Sequence, residues 1–157
     1  MADKKSKMDP KRFEVANRIF FRLYQAQNLV HKNGTRYMIE LGSTTQQWAV
    51  LGALARPPVC EAGMTVKELI AYLLLSRQNL TAVIDRLEER GWVDRVKDDD
   101  DGRSRRIRLT KEGNKIWARM LPIIDDFYSA ALAGLDDKER AELYRLLNKL
   151  KETLGEI

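Results

Sequence analysis

Residues 64–110, MTVKELIAYLLLSRQNLTAVIDRLEERGWVDRVKDDDDGRSRRIRLT, decide the fold. Thr65 and Glu68 have the spacing of a capping box, in which hydroxyl and carboxylate each satisfy a backbone N–H at a helix start. The helix they open is short and buries Val66, Leu69, Ile70 and Leu73. A turn through Leu74 and Leu75 leads to Ser76. From there Leu80, Val83, Ile84 and Leu87 recur at i, i+3, i+4 and i+7, one face of a second helix, and Gly91 is placed to end it in a left-handed cap. The pattern then becomes β-like: 92–97 is rich in Val and Trp, 98–102 (DDDDG) is a turn, and Ile107 and Leu109 alternate with Arg106 and Arg108. Short helix, tight turn, second helix and hairpin, in that order, make a winged helix-turn-helix over about 64–109. The outer face of the second helix begins with Arg77, Gln78 and Thr81, the arrangement with which a recognition helix offers hydrogen-bonding groups to base edges.

Outside this stretch the chain is helical. Asp9-Pro10 opens a long helix reaching about Arg36, with Phe13, Ala16, Phe20, Leu23, Tyr24 and Leu29 at helical spacing. Gly42 breaks it. Ser43 with Gln46, or Thr44 with Gln47, then caps a helix carrying Trp48, Val50, Leu51 and Leu54, which Pro57-Pro58 stops. Thr110 caps another long helix through Ile116, Met120, Ile123 and Phe127, with Pro122 expected to kink it. Asp136 with Glu139 opens the last, where Leu143, Leu146, Leu147, Leu150 and Leu154 form a stripe on an otherwise polar helix. The ends are more apolar than a monomer of this size can cover, which predicts a helical dimer interface. The expectation is one mainly α domain over 1–157 with a small β-hairpin wing: 9–42 and 118–157 dimerise, and 43–117 is the winged helix-turn-helix.

A chain of 157 residues has room for one compact core. One Cys and one His exclude a disulfide framework, a zinc finger built within one chain and most His-dependent triads. No nucleophile–base pair, metal set or phosphate loop stands out, so neither enzyme nor cofactor is expected. No apolar run approaches a membrane span, and residues 1–7 are charged, unlike a signal peptide, so the expected location is the cytoplasm. The net charge is +5. Residues 1–58 carry ten basic and four acidic groups, 59–117 carry 12 and 11, and 118–157 carry six and eight. The winged module is therefore almost neutral, and whole-chain charge is no evidence that it binds DNA.

The sequence resembles the MarR family of bacterial transcription regulators. The resemblance rests on Gln47-Trp48-x-Val50-Leu51, on Leu80-Thr81-x-x-Ile84-Asp85-x-Leu87-Glu88-x-x-Gly91-Trp92-Val93, on Asp101-x-Arg103 and on Leu109-Thr110-x-x-Gly113, spread over nearly the whole chain. One departure is the turn before Ser76, where the family often has Gly and this chain has Leu74-Leu75. The resemblance implies a homodimer on a palindromic double-stranded DNA operator, more often a repressor than an activator. It also implies a small anionic or aromatic effector, an aromatic acid or its acyl-coenzyme A thioester, bound between dimer helices and winged helix.

Under that resemblance Arg103 enters the minor groove with Asp101 orienting it, since a narrow groove concentrates negative potential around a guanidinium. Ser76, Arg77, Gln78, Asn79 and Thr81 supply major-groove and phosphate contacts, with Ser76 and Asn79 equally suited to capping alone. Arg105, Arg106 and Arg108 are candidates to neutralise phosphates, as are Thr65 and Lys67 to touch them. Asp98 to Asp100 read as turn formers. The candidate effector lining is Tyr24, Asn28, His31, Arg36, Tyr37, Met38 and Trp48, with the bland alternative that the aromatics are core. Cys60 in a peroxide switch, and a winged helix used only for protein or RNA contacts, are the competing expectations.

Overall fold

The computed structural model describes residues 8–100 and 102–157; the charged stretch 1–7 and Asp101 lie outside the described residues. Helix α1 (Pro10–Tyr37) starts where Asp9 accepts from the Lys11 and Arg12 N–H groups, and ends in a 3₁₀ turn (Ile39–Leu41) closed by Gly42. Helix α2 (Thr45–Leu54) is capped by Thr44, whose hydroxyl accepts from Gln47 N. Ser43, the other candidate cap, instead donates to the Gln47 side chain at 3.0 Å. Strand β1 (Met64–Thr65), α3 (Val66–Leu73), α4 (Arg77–Glu89), β2 (Val93–Lys97), β3 (Arg105–Leu109), α5 (Lys111–Ala131) and α6 (Asp137–Gly155) follow. This is the expected winged helix-turn-helix between long helices, and α5 runs through Pro122 without interruption.

The capping boxes at Thr65/Glu68 and Asp136/Glu139 are both formed reciprocally. The face of α4 predicted from periodicity, Leu80, Val83, Ile84 and Leu87, is buried. On α3 only Leu69 is fully buried; Val66, Ile70 and Leu73 pack at the rim. On α5 the buried position is Ile124, with Ile123 at the margin, because 120, 124 and 127 keep one face inward. The sheet has a third strand beyond the expected hairpin. Met64 pairs with Ile107 and Thr65 with Arg106, so the wing's β3 is flanked on both sides, in the order β1-β3-β2. Two residues are too few to show an alternating pattern, which is why periodicity does not reveal β1.

Two backbone positions fix the geometry. Leu74, at the helix-turn-helix turn, has φ +55°, a left-handed conformation costly for a residue with a Cβ, and its side chain is exposed. Gly113 sits where α5 leaves the hairpin: an added Cβ would lie 1.9 Å from the Trp92 carbonyl oxygen. Around it Thr110 N donates to that same carbonyl (3.1 Å), and Thr110 Oγ1 donates to Gly91 O (2.6 Å).

Gly113→Ala should therefore cost about 1–3 kcal/mol through forced backbone displacement, whereas Leu74→Gly should stabilise by up to about 1 kcal/mol by relieving the left-handed strain. Urea unfolding of the two variants checks both signs.

Candidate nucleic-acid interface and ligand cavity

The apolar face of α4 anchors it, which leaves Arg77, Gln78 and Asn79 exposed and Thr81 half-exposed along its first turns. The Ser76 hydroxyl accepts from Asn79 N at 3.2 Å, so Ser76 caps the helix. Further along α4, Asp85 and Glu88 would repel phosphates, but Arg95 on β2 binds both: Nη2 to Asp85 at 2.5 Å and Nε to Glu88 at 2.7 Å. These bonds neutralise the acids and tie the wing to the recognition helix.

Two of the arginines expected to neutralise phosphates are engaged with the protein itself. Arg106 donates to Gly63 O (3.0 Å) and Glu68 (3.1 Å) and pairs with Asp98 at 3.3 Å. Asp98 is buried and also accepts from Asp100 N at 3.0 Å, so it forms the turn as expected, and it holds Arg106, which in turn reaches Glu68 on α3. Arg108 pairs with Asp94, its cross-strand partner, at 3.0 Å. Alternation along β3 marks Arg106 and Arg108 as outward charges but carries no information about acids 8 to 38 residues away. Arg103 and Arg105 are exposed at the far end of the wing. Thr65 is committed to its capping box, with Glu68 N 3.2 Å from its hydroxyl, while Lys67 is exposed on the first turn of α3.

The residues expected to line an effector site are not gathered into one cavity in the single chain. Tyr24, Asn28 and Arg36 are exposed on α1, and His31 Nδ1 meets Thr45 Oγ1 at 2.5 Å, linking α1 to α2. Met38 is fully buried and belongs to the core. Trp48 lies under Gly34, edge-on to Phe127 (5.8 Å) and Tyr128 (6.2 Å). Burial there pushes the Tyr128 phenol above its ordinary pKa. Tyr37 does line a cavity, of about 440 Å³ between α1 and α5, together with Leu29, Val30, Asn33, Phe127 and small residues of both helices. Phe127 and Leu29 are legible in the sequence only as apolar positions, since periodicity does not tell a core wall from a cavity wall. Cys60 is half-buried with its thiol donating to Pro57 O at 3.4 Å. No helix among the described residues is long and apolar enough to cross a membrane.

The sequence model of the MarR family matches residues 41–104. The "Transcriptional activatory protein BadR" of Rhodopseudomonas palustris is 44% identical over 144 residues, 91% of this chain and 82% of that protein. Among solved structures, a mutant of Escherichia coli MarR complexed with operator DNA superposes with TM-score 0.78 at 26% identity, covering 91% of this chain and 99% of that one. The organohalide-sensing regulator RdhR-CbdbA1625, in its 2,4-dichlorophenol-bound form, shares the fold at TM-score 0.78 and 21% identity, covering 98% and 89%.

Arg106→Ala would leave the Asp98 carboxylate buried without its cation. It should lower stability by about 1–3 kcal/mol and speed amide exchange along 97–105, which hydrogen-exchange mass spectrometry measures.

Proposed function

The chain belongs to the MarR family of transcriptional regulators, and from that premise we propose that it is a homodimer that binds a palindromic DNA operator in the cytoplasm and is released by a small anionic aromatic ligand. The observation that carries this is the row of exposed Arg77 and Gln78 and half-exposed Thr81 on α4, braced by Arg95 beside a wing that ends in Arg103 and Arg105. Arg77 and Gln78 meet base edges in the major groove, with Asn79 and Thr81 on bases or phosphates and Ser76 holding the helix start. Arg103, oriented by Asp101, reaches the minor groove, while Arg105 and Lys67 contact phosphates, with Thr65 fixing the start of α3.

Dimerisation follows from what α1 and α6 leave uncovered. Phe13, Ile19, Phe20 and Phe21 on α1 and Leu143, Leu146, Leu147 and Leu154 on α6 are exposed large apolar side chains. A two-fold dimer through these helices sets two α4 helices about 34–36 Å apart, one turn of B-DNA.

The ligand is an aromatic acid or its acyl-coenzyme A thioester. Support comes from the cavity between α1 and α5, whose volume suits a ring and whose walls include Tyr37 and Phe127. Trp48 packs on Phe127, and Tyr24, Asn28, His31 and Arg36 lie along the same helix as Tyr37. In the dimer the partner's helices complete this region, and His31 or Arg36 meets the carboxylate. Release by ligand is repressor behaviour. The name of BadR favours a second reading, in which the bound dimer activates.

Gel shifts on the DNA upstream of the gene test the interface: Arg77→Ala and Arg103→Ala should each weaken specific binding by roughly 10- to 100-fold, about 1–3 kcal/mol. Lys67→Ala should weaken all sequences alike and flatten the salt dependence. Unchanged affinity in the first two variants would refute the assignment. A panel of aromatic acids and thioesters that leaves the complex intact would refute the ligand class.

A further inference from the structure

A second cavity, of about 360 Å³, lies between the 3₁₀ turn after α1, the end of α4 and the first turns of α5, and shares no lining residue with the Tyr37–Phe127 cavity. Arg90, Lys115 and Arg119 line it as cations against the carboxylates Glu40 and Glu112, and Trp92 gives it an aromatic wall. These charges are unequal. Glu112 accepts from Lys115 Nζ at 2.8 Å, a bond that holds its carboxyl below the usual range. Arg119 makes no ion pair or side-chain hydrogen bond among the described residues.

Arg90 is the unusual member. Its Nη1 donates to Gly42 O at 2.6 Å, its Nη2 to Leu41 O at 3.0 Å, and its guanidinium stacks 3.7 Å from the centre of the Trp92 ring. It is thus held by dipoles and a π face, with no carboxylate within ion-pair distance among the described residues, and desolvation lowers its pKa. Those bonds use one N–H on each Nη, so a guanidinium with five donors keeps three for an incoming acceptor.

We propose that this pocket is a binding site for a small organic anion, a carboxylate on a flat apolar body, clasped by Arg119 and Lys115 with Arg90 facing it and its ring set against Trp92. The site stands apart from the cavity assigned to the effector. Its occupant bears on the contact by which Arg90 joins the end of the recognition helix to the turn that follows α1. Glu40 opposes the carboxylate and sets a ceiling on affinity.

The test is titration of the full-length protein with 1-naphthoate, following the indole N–H resonances by ¹⁵N NMR: Trp92 reports this pocket and Trp48 reports the Phe127 cavity. A saturable Trp92 shift is expected, absent with neutral 1-naphthalenemethanol. Arg119→Gln should weaken binding roughly two- to fivefold, as for an exposed ion pair; adding Lys115→Gln should bring the loss to about tenfold, and Glu40→Gln should strengthen binding. None of the three side chains is buried, so the unfolding midpoint should stay put. A Trp92 resonance that does not move, an equal response to the neutral alcohol, or full affinity in the double variant would each overturn the proposal. A Trp48 shift alone would place naphthoate in the other cavity and also sink it.

Discussion

The backbone carbonyl of Trp92 and the missing side chain of Gly113 form the contact on which the rest of the arrangement depends. That carbonyl accepts from Thr110 N, while the Thr110 hydroxyl donates to Gly91 O, so the end of α4, the base of the wing and the start of α5 meet within a few residues. The three elements carry different parts of the molecule's surface. Helix α4 presents Arg77 and Gln78, the wing presents Arg103 and Arg105, and α5 forms one wall of the cavity beneath α1. Interiors are close-packed and deform little, so elements joined at such a point cannot shift independently.

Charge in the winged module is used mainly for construction. Arg95, Arg106 and Arg108 are bound to Asp85, Glu88, Glu68, Asp98 and Asp94, and these pairs place β2 against α4 and the wing turn against α3. Three cations of the module are thus spent on internal acids, while Lys67 on α3, Arg77 on α4 and Arg105 on the wing stay exposed. Exposed single pairs contribute little stability. Arg106 and Asp98, with side chains 23% and 10% exposed, are the exception, since removing either strands the other.

What is legible in the sequence is local. Capping boxes at Thr65 and Asp136, the apolar row of α4 and the Gly91 stop each involve residues within about one or two helical turns, and all are formed. What is not legible joins distant segments: the Met64–Ile107 pairing, the Arg106–Glu68 bond and the bonds from Arg90 to the carbonyls of Leu41 and Gly42. Spacing along a chain does not encode such meetings, because they depend on how finished elements pack. Burial is the other blind spot. Met38 and Trp48 have the chemistry of a ligand wall, yet Met38 is core and Trp48 is largely enclosed, since an aromatic or thioether side chain serves either purpose.

The long-range contacts also say how α1 can act on α4. One route runs from α5 through Gly113 to Trp92; the other runs from the turn after α1 through Leu41 and Gly42 to Arg90. They end two residues apart, on Trp92 and on Arg90, at the close of α4. A change in the separation of α1 and α5, the two helices that flank the Tyr37–Phe127 cavity, therefore pulls on one short segment from two sides. A ligand shifts such an equilibrium only by its differential affinity for the two arrangements. Under the proposed ligand response, the side chains placed to distinguish them are those bridging α1 to α5, Tyr37 and Phe127 at 5.3 Å first among them.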